Sequence, residues 1–239
     1  MTKGLELLMN LVEIIKQAIE LIFSFDKNLY QIIFLSLKVS LVATFIAGTM
    51  GIVVGFILAE KTFPLKNFVI IIINALMGIP SVVVGLIVYL LFAYQGPFGA
   101  LELIYTPTAI IIAQIILIFP LITSLTRESF VSLFKIYGEQ IKALKLPWIA
   151  IIVLFCKAGF PSLAIIILSA FGKAISEIGA VMIVGGNIDH YTRVMTTAIA
   201  VETRMGNVES ALALGVVLLL LTILVSGIVY YFKSKFKNI

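Results

Sequence analysis

Five stretches of the chain are continuously apolar, at roughly residues 29–59, 67–94, 107–126, 161–184 and 208–232. A helix needs about 20 apolar residues to cross the hydrocarbon core, and unbroken runs without two-residue alternation exclude barrel strands. The pattern therefore predicts five transmembrane helices. The first, at about 31 residues, is long enough to tilt or to project from the bilayer. Its Ala43, Ala47, Gly51, Gly55 and Ala59 recur every fourth residue, a groove of small side chains that admits another helix closely, either within the bundle or between two copies of it. In the second run, Pro80 of NALMGIPSVVVG removes a backbone donor at mid-span and predicts a kink or an unwound turn. Breaks of this kind commonly line a path or a gate, so Gly78, Pro80 and Ser81 are candidate path residues.

Residues 5–25 follow another pattern. Glu6, Asn10, Glu13, Gln17, Glu20 and Ser24 are spaced by three and four, which puts them on one stripe of a helix whose other faces are Leu, Ile, Val and Met. The segment 1–28 is thus expected to be an amphipathic helix. Two readings stand, a helix lying at the interface or across the bundle, and a sixth tilted span. Glu6, Glu13 and Glu20 interrupt the apolar run and no small-residue cleavage site follows, so the segment is expected to be retained. The remaining 29–239 form the transmembrane domain.

The connection 127–160 is too long for a turn and too apolar for a disordered linker. Gly138 and Pro147 bracket a short piece, Glu139 to Leu146, with Glu139 in its first turn and Lys142 and Lys145 later, the charge order a helix dipole favours. WIAIIVLFC after it is too short to span, and is expected to lie back along the membrane before Pro161 opens the fourth span. A short helix held between two anchored arms suits docking by a soluble partner, and it suits equally an ordinary amphipathic connection.

Composition changes the picture only by confirming the class. Hydrophobic residues make up 62% of 239 and charged ones 12%, with a net charge of +5, which no soluble core of this size accommodates. The basic balance reads as a topology signal rather than nucleic-acid binding. Segments 60–66, 127–160 and 233–239 hold Lys61, Lys66, Arg127, Lys135, Lys142, Lys145, Lys157, Lys233, Lys235 and Lys237, against Lys3, Lys16, Lys27, Arg193 and Arg204 on the other side. The richer side is expected to be cytoplasmic, with the N-terminus outside and the C-terminus inside. One cysteine, Cys156, and one histidine, His190, leave no metal cluster and no disulfide. No G-x-x-x-x-G-K-[ST] phosphate loop is present, so nucleotide hydrolysis would belong to another chain.

Lys173 and Glu177 are the costly residues of the fourth span, FGKAISEIGAVMIVGGN. If that span is one helix they share a face about 6 Å apart and neutralise each other. Small neighbours, Ala174, Ser176, Gly179 and Ala180, suggest a closely approaching helix. Two readings stand: a buried structural pair, or a translocation path or gate in which Lys173, Ser176 and Glu177 face a passing anion and Glu177 tempers the lysine. Gly185-Gly186-Asn187 ends the span, Thr196 to Glu202 form a re-entrant or surface helix, and Arg193 is read either as solvated or as facing a partner or the anion.

Two stretches carry a resemblance. Tyr137-Gly138-Glu139-Gln140-Ile141-Lys142-Ala143-Leu144-Lys145 resembles a degenerate Glu-Ala-Ala loop of ABC importer permeases: Glu139 and Leu144 fit, while Gln140, Ile141 and Lys145 depart from Ala, Ala and Gly. GKAISEIGAVMIVGGN, with TRVMTTAIAVETRMGNVESALALG from Thr192 to Gly215, is similar to the membrane subunit of tungstate ABC importers, within the molybdate, tungstate and sulfate group. The resemblance implies an all-α type I importer permease in the cytoplasmic membrane, working as a homodimer in membrane lipid. It implies two ABC ATPase subunits coupled through Glu139, Lys142, Ala143, Leu144, Lys145 and Leu146, and an extracytoplasmic oxyanion-binding protein. It implies no cofactor on this chain and no catalysis by it, with ATP and Mg on the partner ATPase. Two other classes are weighed against it. An ion-coupled secondary transporter using Lys173 and Glu177 lacks an obvious paired repeat, and an intramembrane enzyme lacks a plausible dyad.

Overall fold

The structure, a computed structural model, describes residues 15–235 apart from Ala18 and Phe25. Its elements are α1 (Lys27–Glu60), α2 (Lys66–Met77), α3 (Ser81–Phe92), a 3-10 turn (Gly99–Leu101), α4 (Pro107–Ala143), α5 (Trp148–Ala158), α6 (Phe160–Ile175), α7 (Gly179–Gly185), α8 (Met195–Met205) and α9 (Val208–Lys235). Among the described residues there is no strand. Among the described residues, helices α1, α4 and α9 are each long and apolar enough to cross a membrane, and the number reaches five if each of two bent pairs is one span. The pairs are α2–α3, bent by 104°, and α5–α6, bent by 78°. Most of the amphipathic segment 1–28 lies outside the described residues; in the described part Leu21 and Ile22 pack against the bundle and Lys16 pairs with Glu20 at 3.9 Å.

The small-residue groove of α1 is filled from within the chain, by α4. A Cβ at Gly51 would lie 2.8 Å from Ile122 Cγ2, and one at Gly55 would lie 2.9 Å from the Thr123 carbonyl oxygen and from Thr126 Cβ. Next to Gly55 the packing is aromatic. Phe56 of α1 meets Phe130 of α4 and Phe155 of α5 edge-on, with centroids 5.9 and 6.3 Å apart, and Phe134 stands 4.5 Å from Phe155.

This aromatic packing explains one departure from the sequence reading. The third span does not stop near 126, and no separate helix forms over Glu139–Leu146: α4 runs unbroken for 37 residues through Gly138 to Ala143. A glycine inside a helix costs about 1 kcal/mol, less than the burial of Phe130, Phe134 and Ile141 on the same helix returns. The turn comes later, at Leu144–Leu146, where Lys145 takes a left-handed φ of 49° at the place of the resemblance's glycine. WIAIIVLFC forms α5, which meets α6 at a bend of 78°.

A second apolar cluster, with Phe171 and Ile175 of α6, Met195 and Ala198 of α8 and Leu214 and Val225 of α9, holds the C-terminal helices. The helix expected over Thr196–Glu202 is α8, and its first turn, Met195 to Ala198, is buried. Ser36 of α1 accepts a hydrogen bond from the Met195 N–H at 2.7 Å, occupying one of the orphan donors at that helix start.

Candidate functional site

Two spans are broken, and the breaks lie side by side. In the second, α2 ends at Met77, Gly78 and Ile79 turn the chain, and Pro80 precedes α3. In the fourth, α6 ends at Ile175, Ser176 to Ile178 are non-helical, and α7 begins at Gly179. The second halves pack closely against each other at two glycines. A Cβ at Gly85 would sit 2.8 Å from Ala180 Cα, and one at Gly179 would sit 2.8 Å from Ser81 Oγ.

The break after Ile175 overturns the ion pair expected from helical spacing. Lys173 and Glu177 do not share a helix face, and no salt bridge joins them. Lys173 Nζ instead donates to the Met77 carbonyl oxygen at 3.3 Å, the last carbonyl of α2. The negative end of that helix therefore tempers the lysine, in the role expected of Glu177. The Glu177 carboxylate turns the other way and accepts from the Ala180 N–H at 3.3 Å. Ser176 spends its hydroxyl proton on its own helix, donating to the Gly172 carbonyl at 2.7 Å. Lys173 and Glu177 are half-buried, while Ser176, Gly78 and Pro80 are exposed.

An unwound turn at membrane depth leaves carbonyls without helical partners, and each must be satisfied by protein or water. Two residues missed by the sequence reading do this. Gln114 of α4, buried, donates from Nε2 to the Ala174 carbonyl at 2.9 Å and to Ser40 Oγ at 3.3 Å. Thr196 of α8 donates to the Glu177 carbonyl at 2.8 Å. Gln114 had a signal, a lone amide in the run PTAIIIAQIILIF; Thr196 had none, because threonine is common at helix starts. One turn back from Met77, Asn74 accepts from Ser124 Oγ of α4 at 2.7 Å.

At the end of the bundle away from the basic segments, Arg193 is about one-fifth exposed and ion-paired within the chain. Its Nη1 lies 3.2 Å from Asp189 Oδ1 and 3.7 Å from Glu202 Oε1, and Asn207 donates to the same Glu202 carboxylate at 2.8 Å. His190 is exposed and bonds Gln31 through Nδ1 at 3.1 Å. Tyr105 packs under Gly186 there, and a hydrogen bond with Tyr89, together with burial, raises its phenol above the ordinary tyrosine pKa.

At the basic end the chain reverses over Leu144–Leu146. Glu139, Ala143 and Lys145 are exposed and Leu144, at 68% exposure, is the most prominent apolar residue of the turn. Beneath it a cleft of about 410 Å³ is lined by Glu60, Phe134, Gly138, Ile141, Lys145 and Leu146. The tip is thus a continuation of α4, the helix that carries Gln114.

Residues 51–238 match the family described as the inner membrane component of binding-protein-dependent transport systems. The chain belongs to that family. The permease is 42% identical over 224 residues to the tungstate uptake system permease protein TupB of Peptoclostridium acidaminophilum, covering 92% of this chain and 96% of that one. It is 36% identical over 205 residues to a probable anion ABC transporter permease of Haloferax volcanii, covering 84% and 88%. A tungstate uptake permease TupB of Campylobacter jejuni is 34% identical over 219 residues, covering 91% of each chain. The broken spans and the exposed tip therefore belong to a membrane transport subunit.

Proposed function

We propose that this permease carries a tetrahedral oxyanion, tungstate or the closely similar molybdate, inward across the cytoplasmic membrane by alternating access, driven by a separate ATPase. The observation that carries the reading is the half-buried lysine between two broken spans, in a chain whose relatives are tungstate and anion permeases. A cation held at a helix C-terminus attracts an anion without trapping it, which a path requires. Two permeases form a dimer in membrane lipid around the path lined by Lys173, Ser176, Glu177, Gly78, Pro80 and Ser81. An extracytoplasmic binding protein delivers the anion. The basic end faces the cytosol, with the N-terminus outside, and presents Glu139, Lys142, Ala143, Leu144, Lys145 and Leu146 to two ABC ATPase subunits that hold ATP and Mg. When those subunits close on ATP, the two tips approach and the bundle opens outward. The ion-coupled alternative needs Lys173 and Glu177 as one titrating pair, and they face different partners.

The test is ATPase activity of the permease reconstituted in liposomes with its candidate ATPase, with and without tungstate-loaded binding protein. Stimulation by the loaded protein that disappears in Leu144→Asp is expected. An assembled complex with no stimulation would overturn the importer reading.

A further inference from the structure

Asn74 is a polar, exposed residue in the apolar run VIIIINALM, one turn before the break in the second span. An amide facing lipid there would leave three hydrogen-bonding groups unsatisfied, so polar side chains at this depth face protein or water. The structure shows which of its groups is occupied. The hydroxyl of Ser124, 6% exposed and fixed on α4, donates to Asn74 Oδ1 at 2.7 Å, and among the described residues no partner takes the Asn74 amide protons. With its oxygen turned to α4, the amide presents its two N–H donors to the open side of α2.

Met77, whose carbonyl holds Lys173 Nζ, lies three residues on, on the same face of α2 and about 4.5 Å along its axis. Lys173 has three donors and one is spent on that carbonyl. Ser124 lies ten residues beyond Gln114 on α4, about 15 Å towards the basic end. Two sets of free donors, one cationic and one neutral, therefore succeed each other along one face towards that end. From this we infer that Asn74 is an anion-contacting residue of the path, oriented by Ser124, and receives the oxyanion after Lys173 on its way inward. Neutral N–H donors bind a dianion more weakly than an ammonium does, which suits the release side of the path. The inference rests on the importer reading for its direction of travel, and on geometry alone for the accessibility and electrostatics of the site.

The test separates those two. Cys156 is the sole cysteine, so Asn74→Cys in a Cys156→Ser background gives one thiol. The complex with the ATPase is exposed in vesicles, from either side, nucleotide-free and vanadate-trapped, to methanethiosulfonates bearing a sulfonate or a trimethylammonium group. Rates are normalised to a free thiol. Reaction is expected in at least one state, with the anionic reagent favoured at least about fivefold, and Lys173→Gln reduces that preference to about twofold or less. No reaction in any state, as for a thiol sealed against lipid or a second copy, would overturn the inference, as would a preference for the cation. A second measurement covers failure of the cysteine variant to assemble. In tungstate uptake by the reconstituted importer, Asn74→Asp is expected to lose at least about tenfold and Asn74→Ser, which keeps a neutral donor, no more than about threefold. Equal losses would overturn it. Labelling requires no transport, and stimulation of the wild-type ATPase tests the importer reading separately.

Discussion

Placing a valine at Gly55 tests the spacing of the two helices on which the bundle is built. The Cβ alone would stand 2.9 Å from the Thr123 carbonyl oxygen, 2.9 Å from Thr126 Cβ and 3.0 Å from Thr126 Cγ2. None of these can swing aside: one is backbone in the middle of α4, and the others belong to a fully buried β-branched side chain. The helices must separate, and the Phe56 contacts beyond must loosen with them. Overpacking of this kind costs about 1–3 kcal/mol, and with two further methyls Gly55→Val belongs at the upper end. For a chain of this size that corresponds to an apparent Tm lowered by about 6–12 °C, at about 2–4 °C per kcal/mol. Gly138→Ala is the matched control. Its Cβ meets nothing within 4 Å, so it gains about 1 kcal/mol of helix propensity and about 2–4 °C. The assay is thermal unfolding of the purified permease in one detergent, followed by size-exclusion of the heated samples. A Gly55→Val protein melting within about 2 °C of wild type would refute the close approach of α1 and α4.

Phe155→Ala, which empties a fully buried position touching Phe56, Phe130 and Phe134, is expected to cost about 3–5 kcal/mol by the same melts. Gln114→Leu takes from the Ala174 carbonyl the shorter of its two hydrogen bonds, leaving the Glu177 N–H at 3.3 Å, and is expected to cost about 1 kcal/mol, part of the loss being offset because Gln114 Oε1 has no partner among the described residues. Thr196→Val removes the hydroxyl that holds the Glu177 carbonyl at nearly constant volume, costing about 1 kcal/mol, and hydrogen exchange at residues 176–180 should rise with it. Arg193→Met is expected to cost about 1 kcal/mol at low salt and less at high salt, since Asp189 is half exposed; melts at two ionic strengths check it.

What the sequence discloses is set by the range of the interaction. Long apolar runs and an interior proline act locally, and they place α1, α9 and the break at Pro80 to within a few residues. The small-residue stripe announces a close helix without saying which one; only the fold supplies Ile122 to Thr126 of α4. The end of the third span was misread because Gly138 and the charges around it look like a boundary, while the rings that carry α4 past it belong to α1 and α5. Lys173 and Glu177 were legible as costly residues, yet their relation was not. The helix can unwind at Ser176 because partners distant in sequence, Gln114 and Thr196, donate to the carbonyls around the break. Asn74 stood in plain view as the amide of an apolar run, and its orientation depends on a serine 50 residues away.

Helix α4 has a mechanical consequence. It holds the Ala174 carbonyl at Gln114 and ends at the reversal that exposes Leu144, about 45 Å further along one axis. Pro120 lies between them and deletes one rung of the hydrogen-bond ladder, so any turning of the helix is taken to pivot there. The arm from Pro120 to Leu144 is about four times the arm from Pro120 back to Gln114, so a displacement of about 4 Å at the tip arrives as about 1 Å at the carbonyl. If a partner pushes on the tip, as proposed, and α4 turns as one piece, the push reaches the unwound turn scaled down to the size of a single hydrogen bond's tolerance.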